Sequence, residues 1–523
     1  MATDVQIPVG KIVSKNPATG ETLRELDCAT AAEVQRAVSR ARIAQPAWAA
    51  LNVGKRIAIL SEFQGLLHGK KSEVARLITR EAGKPYVEAL LTEVLVVLDA
   101  TRFLMESARS FLRDQPVPHR SLAMKTKTGR LLREPHGVIG IVSPWNYPFS
   151  IPAVETLAAL VTGNAVVLKP SEFTSLVGLE LETLLRAAGI PQEIFQLVAG
   201  DGATGAALVN APIDKLVFTG SAATGKRIAQ AAGSRLLPVV LELGGKDPML
   251  VLDDADVDVA SSAAVWGAFV NAGQTCLSVE RCYVDGSRYT EFLDACVEKT
   301  RKLRVGNGAD PATEVGPMIH ERQLRIVEGQ VEEARRRGAR VLAGGSRLPE
   351  LGPNFYAPTI LADVTQEMQI MREETFGPVL SVAAFGGDDQ AIRLANDSDF
   401  GLAASVWTRD SERGEAMARR IVAGTVMVND TISCFGISEA PHGGVKASGI
   451  GRAHGRLGME EMVRVKYLDR DHLPRMKKVW WYGYGKSFAR QMEGFLDMQF
   501  ARGVGRRTLG ALWSAGVLGR RKL

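Results

Sequence analysis

Three short segments each contain a side chain that could take part in acyl transfer. Cys276 lies in NAGQTCLSVER, Glu242 precedes a Gly-Gly pair in VLELGGKDP, and Asn146 lies among prolines and aromatics in SPWNYPF. A thiol can act as a nucleophile, a carboxylate between leucines has a raised pKa that suits a base, and an amide can donate a hydrogen bond to an oxyanion. A lone cysteine in an apolar segment is more often a core residue, so the interpretation depends on the three segments meeting in the fold.

Alternating strands and helices would position these side chains. Residues 31 to about 112 have helical periodicity, and short β-branched runs separated mostly by helical stretches follow. Such alternation predicts a parallel sheet covered on both faces, with ligands bound beyond the carboxyl ends of the strands. A second alternating region, from about 246 to 440, predicts a second α/β domain. The β-branched runs of the first region are VIGIVSP, AVVLKP, IFQLVAG, KLVFTG and PVVLELGG.

Two glycine-rich segments match nucleotide-binding patterns incompletely. GDGATG at 200–205 fits GxGxxG, but no acidic residue ends a strand about 20 residues later, so an ordinary strand-to-helix turn is favoured. GSAATGK at 220–226 fits a Walker A loop, except that Arg227 replaces the serine or threonine that binds magnesium, which excludes an ATPase of that type. What remains is a turn at Gly220 where N–H groups of a helix N-terminus can approach a phosphate.

Composition and cysteine usage favour an ordinary globular protein of the cytoplasm. Five scattered cysteines indicate a reducing compartment, the N-terminus lacks the apolar core of a secretory signal, and no run of 18 apolar residues predicts a membrane-spanning helix. The net charge of +6 comes from residues 471–523, where eleven basic side chains stand against three acidic ones. The rest of the chain is nearly neutral, so we expect no nucleic-acid partner, and we expect no metal.

The motifs resemble those of the aldehyde dehydrogenase superfamily, non-acylating branch, over residues 12 to 470. This resemblance implies an α/β fold with a Rossmann-like parallel-sheet cofactor domain, a second α/β catalytic domain and a small β oligomerisation arm. The implied parts are 1–120 and 137–243 for cofactor binding, 244–451 for catalysis, 121–136 and 452–470 for the arm, and 471–523 as a C-terminal extension. After the Trp-Asn pair, the matching motifs are GNAVVLKPSE (163–172), FTGSAATG (218–225), LELGGK (241–246), GQTCLSVER (273–281), EETFGPVL (373–380), NDSDFGLAASVW (396–407) and PHGGVKASGIGR (441–452).

The resemblance implies oxidation of an aldehyde to a carboxylate. Cys276 would add to the carbonyl carbon, and its backbone N–H would hold the oxyanion of the thiohemiacetal together with the Asn146 amide. Hydride would pass to a nicotinamide, and Glu242 would activate the water that hydrolyses the thioester, which argues against a coenzyme A-acylating enzyme. The cofactor-binding residues that the resemblance implies are Trp145, Lys169, Glu172, Gly220, Ser221, Gly225, Glu374 and Phe376.

The residues expected at the adenosine ribose favour NAD over NADP. Glu172 can accept both ribose hydroxyls, whereas a 2′-phosphate would meet its charge, although Lys169 nearby softens this preference. His442 stands where many relatives have phenylalanine, and we interpret it as a surface-loop histidine, with a substrate-channel residue as the alternative. Cys282 is expected in the core, with a disulfide switch to Cys276 as the alternative. Cys434 precedes the segment that lines the substrate entrance in the family.

The C-terminal extension, residues 471–523, passes the usual end of the family. Phe488, Met492, Phe495 and Leu496 recur at helical spacing among basic residues, a pattern typical of a peripheral membrane helix. Packing on a partner subunit or over the substrate entrance is equally compatible, and RNA binding is a weaker option. The extension is similar in position to the apolar tail of fatty aldehyde dehydrogenases, which favours a medium- or long-chain aliphatic aldehyde.

Two alternatives to this function stay open. A semialdehyde dehydrogenase, of the succinate semialdehyde type, would need a basic residue facing the substrate carboxylate. A catalytically silent, membrane-associated scaffold is a second alternative, against which the joint presence of Cys276, Glu242 and Asn146 argues. The resemblance also implies a homodimer or a homotetramer.

Overall fold

The chain forms two compact units. The first contains the chain up to Arg113 together with Arg133–Arg464, and the second contains Asp114–Leu132 together with the chain from Val465 onward. The first unit holds two large sheets, each with its own hydrophobic core. The computed structural model describes residues 10–121, 124–478 and 480–519.

A six-stranded sheet positions the first group of functional side chains. Its strands are short and almost wholly buried, as expected for parallel strands covered by helices. Strands Ala165–Lys169 and Lys215–Thr219 flank Val138–Val142 on opposite sides, so a crevice opens at the carboxyl end of this central strand. In order across the sheet the strands are Gly449–Ile450, which is antiparallel to its neighbour, then Val239–Glu242, Lys215–Thr219, Val138–Val142, Ala165–Lys169 and Phe195–Leu197.

The helices around this sheet begin at recognisable caps. Thr30 and Glu33 form a capping box at the first long helix, and Ser221 accepts a hydrogen bond from the Thr224 N–H at the last. A β-hairpin of Lys11–Lys15 and Thr22–Asp27 precedes these helices. The helices are Ala31–Ala49, Val53–Gly69, Lys71–Ala82, Tyr86–Ala89, the π-helical turn Leu90–Val94, Leu95–Phe111, Ser150–Val161, Ser175–Ala187, Gly202–Asn210 and Ala222–Gly233.

A seven-stranded sheet forms the rest of the first unit. Six of its strands are parallel, and Arg340–Ala343 is antiparallel at the edge. Across the sheet the strands are Arg340–Ala343, Thr359–Ala362, Val379–Phe385, Val279–Asp285, Asp247–Val251, Ala403–Trp407 and Thr425–Val428. The associated helices are Val257–Phe269, Tyr289–Arg301, Glu321–Arg336, Gln369–Arg372, Asp388–Asn396 and Ser411–Ala418, with 3₁₀ turns at Val270–Gly273 and Ser433–Gly436. Helix Gly455–Glu461 packs on the helices around the six-stranded sheet, and a 3₁₀ turn, Lys446–Ser448, precedes strand Gly449–Ile450.

The second unit contains a three-stranded sheet and a helical hairpin. The strands, in order, are Val463–Asp471, Lys127–Pro135 and Gln115–Val117, of which the first two begin or end in the first unit. Helices Lys486–Phe500 and Val504–Gly519 form the hairpin. No helix in the described part of the chain is long and apolar enough to span a bilayer.

The structure agrees with several sequence predictions about local structure. GDGATG is a strand-to-helix turn in which Asp201 caps helix Gly202–Asn210, and Cys282 is fully buried in a strand, so both interpretations are confirmed. The extension contains a second helix, Val504–Gly519, which the sequence analysis did not identify. The predicted domain boundaries and the oligomerisation role of the arm stay predictions.

Candidate active site

The candidate catalytic residues lie at the carboxyl edge of the six-stranded sheet and in a loop that faces it. Asn146 follows the central strand Val138–Val142, and Glu242 ends the strand Val239–Glu242. Cys276 follows the 3₁₀ turn Val270–Gly273. This edge is where the topology of an open parallel sheet creates a ligand crevice.

A strained turn holds the cysteine loop beside Asn146. Asn271, Ala272 and Gly273 all have left-handed backbone angles, with φ of 54°, 54° and 72°. The Asn271 side-chain amide donates to the carbonyl oxygens of Asn146, at 3.0 Å, and of Gln274, at 3.2 Å. The Asn146 amide also donates to the Gln274 carbonyl, at 3.0 Å. Because an amide nitrogen carries two hydrogens, Asn146 keeps a second donor for an oxyanion at Cys276.

A Gly-Gly turn brings Glu242 to the same place. A Cβ on Gly245 would lie 2.6 Å from the Cys276 carbonyl oxygen, and a Cβ on Gly244 would lie 2.3 Å from the Glu374 carboxylate. Glycine is therefore required at position 245, where the neighbour is backbone, whereas a larger residue at position 244 would displace the Glu374 carboxylate. The backbone N–H of Gly245 donates to Glu374 at 3.1 Å, so one turn links the carboxyl group of Glu374 to the cysteine loop.

The site favours uncharged forms of its acidic groups. Burial, and then the charges of Asp247, Glu374 and Glu242, raise the pKa of the Cys276 thiol well above its usual value. Burial, and then Glu155, raise the pKa of Glu242 well above its usual value, and Arg452 opposes them. Burial raises the pKa of Glu374 to about 8. The thiol therefore needs a nearby base to become a nucleophile.

An apolar cavity of about 250 Å³ leads to Cys276. No charged side chain lines it in the part of the chain that the structure describes. Leu91 and Trp266 line it and are 55% and 46% exposed, so the cavity opens to solvent between apolar side chains. Val96, Ile151 and Phe435 line its interior. The cavity can hold an apolar aldehyde tail, with the carbonyl group at the thiol.

Four of the implied cofactor residues, Lys169, Glu172, Gly220 and Ser221, follow or end strands at the same edge of the six-stranded sheet, whereas Glu374 and Phe376 lie in the loop before strand Val379–Phe385. Lys169 ends strand Ala165–Lys169, and its Nζ lies 3.3 Å from the Glu172 carboxylate. Gly220 and Ser221 lie at the N-terminus of helix Ala222–Gly233. A helix N-terminus suits a pyrophosphate, and a cation beside a carboxylate suits ribose hydroxyls, so these groups fit a nicotinamide dinucleotide.

Three of the remaining implied cofactor residues are held by close packing. The rings of Trp145 and Phe376 meet edge to face at 5.3 Å. A Cβ on Gly225 would lie 2.4 Å from Leu243, so the glycine allows the helix to approach the turn after Glu242. His320, which the sequence analysis missed, lies between Trp145 and Phe173, with ring separations of 5.6 and 4.4 Å.

A buried ion pair positions Phe376, and the sequence analysis missed it as well. The Glu280 carboxylate accepts hydrogen bonds from the backbone N–H groups of Thr375, at 2.8 Å, and Phe376, at 2.9 Å. Lys246 pairs with the same carboxylate and donates to the Thr375 hydroxyl at 3.0 Å. Phe376 has φ of 52°, so these bonds hold a backbone conformation that is unfavourable for phenylalanine. The sequence signal for this ion pair was the presence of one charged residue in each of two motifs, Lys246 in LGGK and Glu280 in SVER.

His442 is not a surface-loop histidine, so that interpretation was wrong. It is 6% exposed, its ring packs against those of Phe435 and His454, and its Nε2 lies 3.8 Å from the Glu242 carboxylate. The physical reason for this burial is the antiparallel bridge between His442 and Ala453, which holds the histidine against the residues that surround it. Burial lowers the pKa of His442 to about 3, so the ring is neutral at pH 7. Cys434 is also buried, in the cluster that includes Cys276.

Glu155 and His454 complete the buried polar groups near Glu242. Glu155 is 4% exposed and lies in helix Ser150–Val161, where every residue is buried. A single carboxyl group in so apolar a helix was the sequence signal, and it was overlooked. Among the described residues, no group of three or more histidine, cysteine or acidic side chains is arranged to hold a metal ion.

Comparisons with known proteins give the family and the fold to which this chain is similar. The model of the aldehyde dehydrogenase family matches residues 7–468. A 4,4'-diapolycopene aldehyde oxidase of Methylomonas sp is 40% identical over 491 residues, which cover 93% of this chain and 91% of that protein. A putative succinate-semialdehyde dehydrogenase (NADP+) of Mycolicibacterium smegmatis is 39% identical over 442 residues, 84% of this chain and 85% of that protein. The structure of an aldehyde dehydrogenase from Bacillus cereus in complex with NAD+ has a TM-score of 0.84, at 35% identity, and covers 88% of this chain and 93% of that one.

Proposed function

Because the chain belongs to the aldehyde dehydrogenase family and is an aldehyde-oxidising oxidoreductase that binds NAD(P), we propose that it oxidises medium- or long-chain aliphatic aldehydes to carboxylates. The observation that carries this proposal is the apolar cavity at Cys276, whose described lining contains no charged side chain. Its half-exposed rim of Leu91 and Trp266 would let the tail of a longer substrate extend outward.

In the proposed mechanism, Cys276 is the nucleophile. Its Sγ adds to the carbonyl carbon while the thiol proton passes to Glu242, and the Asn146 amide donates to the oxygen that becomes an oxyanion. The bound nicotinamide supplies the hydride acceptor, after which a thioester remains on Cys276. Once Glu242 has released that proton, it takes a second one from water as the water oxygen attacks the thioester carbon; the C–S bond then breaks, and the remaining water proton passes to the Cys276 sulfur as the carboxylate product separates.

The semialdehyde alternative has weaker support. A substrate carboxylate in the cavity would lose its hydration without gaining a basic partner, which costs several kcal/mol for a buried ion. The relative named for succinate semialdehyde aligns with 84% of the chain, and the relative named for 4,4'-diapolycopene aldehyde aligns with 93%. The proximity of Asn146 and Glu242 to the cysteine loop argues against a silent scaffold.

We propose NAD as the preferred cofactor. The Glu172 side chain is 38% exposed and lies 3.3 Å from Lys169, so its carboxylate can accept ribose hydroxyls and would repel a 2′-phosphate. Lys169 is the only basic group that pairs with this carboxylate in the described structure. NADP would therefore bind more weakly, and parallel assays with the two cofactors test this directly.

The substrate experiment measures NADH formation from a series of aldehydes. The series runs from acetaldehyde to dodecanal, with succinate semialdehyde added. We expect kcat/KM to rise with chain length, by roughly threefold or more per two methylenes until the cavity is full, because each buried methylene contributes about 0.8 kcal/mol at most. A preference for acetaldehyde or for succinate semialdehyde would contradict the proposed substrate class.

We propose that the extension contacts an anionic membrane surface. Trp481, Tyr482 and Tyr484 are 55%, 96% and 63% exposed, and the segment carries the whole net positive charge of the chain. In the hairpin, Gly494 and Gly510 let the two helices touch, which leaves larger apolar side chains outside. Assembly into a homodimer or homotetramer through the arm, and a cytoplasmic location, for which the five free thiols are suitable, are parts of the same proposal.

The membrane proposal is tested by vesicle sedimentation of the full chain. We expect binding to phosphatidylglycerol–phosphatidylcholine vesicles, weakened by salt, and little binding to phosphatidylcholine alone. The double variant W481S/Y482S should bind less, whereas I43S, at a side chain 82% exposed in the first unit, should bind as the wild type does. Equal binding by the wild type and the double variant would overturn the proposal.

A further inference from the structure

Glu155 is a buried carboxyl group for which the mechanism above gives no role. The Thr219 hydroxyl donates to its Oε1 at 3.2 Å, and its Oε2 has no hydrogen-bond partner in the described structure. An unpaired carboxyl oxygen in an apolar helix costs free energy, so its presence calls for a function or a bound water.

Two small cavities meet at Glu155. The first, of about 20 Å³, is lined by Cys276, Glu242 and Glu155, and also by His442 and His454. Each cavity of this size holds one water molecule, provided that polar groups line it. A water in the first cavity would lie among the nucleophile, the proposed base and Glu155.

The second cavity continues toward the surface. It also has a volume of about 20 Å³, and Glu155 and His454 line it together with Ser438. The Ser438 hydroxyl donates to the Asp99 carboxylate at 2.8 Å, and the Asp99 side chain is 25% exposed. Polar groups and water-sized spaces therefore follow one another from Glu242 to solvent.

The reaction requires such a connection. Oxidation of one aldehyde by NAD+ and water gives a carboxylate, NADH and two protons, and Glu242 must lose the proton it accepts before it can act again. Glu242 is 4% exposed, and neither of its oxygens has a hydrogen-bond partner among the described residues. Among the described residues, Glu242 does not line the apolar substrate cavity and does line the small one, which therefore offers the proton a direct way out.

We propose that Glu155 is the proton relay of this enzyme, which accepts the proton from Glu242 through a water and releases it toward Ser438 and Asp99. In this step the O–H bond of Glu242 breaks, an O–H bond of Glu155 forms, and the negative charge moves from Glu155 to Glu242. A second water then takes the proton from Glu155 to the surface. Glu155 does not touch the substrate and acts only through Glu242, so we class it as a positioning residue. This proposal rests on the proposed function of Glu242.

The electrostatics of the cluster suit a relay near neutral pH. Burial raises the pKa of Glu155 to about 8, and it lowers the pKa of both histidines, to about 3 for His442 and about 4 for His454. Both rings are therefore neutral and can orient water without competing for the proton. Among the described residues, the titratable or charged groups around Glu155 and Glu242 are Cys276, Arg452, Glu461, His442, His454 and, at the outer end, Asp99 with its ion-pair partner Arg102.

The test separates the first turnover from later ones in the variant Glu155→Gln. Glutamine can accept the Thr219 bond but cannot carry the proton. We expect a rapid burst of about one NADH per site, as in the wild type, followed by a steady-state rate reduced by at least ~10-fold at pH 7. The rate should recover as the pH rises, because hydroxide can take the proton, and Glu155→Asp should restore part of it at pH 7.

Control variants distinguish a relay role of Glu155 from a purely structural one. Glu81→Gln alters another buried carboxyl group, which lines neither cavity, and should leave the burst and the steady-state rate unchanged. Ser438→Ala, at the outer end, should slow only the steady state, and it decides the question if Glu155→Gln does not fold. A steady-state rate within twofold of wild type in Glu155→Gln, or loss of the burst in a folded Glu155→Gln, overturns the relay. If Cys276→Ser or Glu242→Gln keeps full turnover, the proposed function itself fails.

Discussion

The close approach of Gly245 to the nucleophile gives a quantitative test of the site. A Cβ at position 245 would lie 2.6 Å from the Cys276 carbonyl oxygen and 2.8 Å from Asp247 Oδ1. A carbon atom and an oxygen atom that are not bonded need a separation of roughly 3.2 Å. The Gly245→Ala substitution must therefore move the cysteine loop by about half an ångström. Since a shift of about 1 Å can cost ~100-fold in rate, we expect kcat/KM to fall by about 10- to 100-fold, or ~1.4–2.7 kcal/mol.

The assay compares this variant with one that adds the same methyl group elsewhere. Gly233 ends helix Ala222–Gly233, and a Cβ there has no neighbour within 4 Å, so Gly233→Ala should keep the wild-type kcat/KM. Thermal unfolding shows whether each variant is folded, and NADH binding shows whether the cofactor site is intact. A folded Gly245→Ala enzyme with kcat/KM within threefold of wild type would refute the argument that this turn positions Cys276.

Three further predictions follow from other contacts. Asn146→Ala should lower kcat by ~10²–10³, because one oxyanion donor is lost, and steady-state kinetics that show less than a tenfold loss would contradict this role. Glu280→Gln should weaken NAD binding by ~10-fold, because the Phe376 loop loses a charged acceptor; cofactor titration measures this, and unchanged affinity would argue against the loop's role. The contribution of Glu155 to stability should fall as the pH rises from about 4.5 to 8, because its raised pKa means that the folded state keeps a proton that the unfolded state has released. Glu155→Gln removes this contribution, so its melting temperature should decline less than that of the wild type between pH 5 and 8; equal declines would show that Glu155 ionises normally.

The sequence predicted the elements better than the contacts between them. Asn146 and Lys169 follow β-branched runs, and strand order alone then places them at one edge of a sheet. His442 was misplaced because its burial depends on the bridge to Ala453 and on the ring of Phe435, which local sequence does not reveal. Glu280 was missed for a similar reason, since the N–H groups that it holds lie about 95 residues away along the chain.

The two halves of the reaction make opposite demands on water, and the structure separates them around Cys276. Hydride transfer and a long apolar tail require a dry site, and the 250 Å³ cavity is lined mainly by apolar side chains. Thioester hydrolysis requires one water and an exit for its proton, and a separate cavity of about 20 Å³ that also reaches Cys276 is lined by Glu242 and Glu155. Because the two cavities share only Cys276, Ile151 and Phe435 among the described residues, chain-length preference and pH dependence should vary independently. A variant in the outer part of the apolar cavity that altered the pH profile would show that water reaches Glu242 through the substrate path.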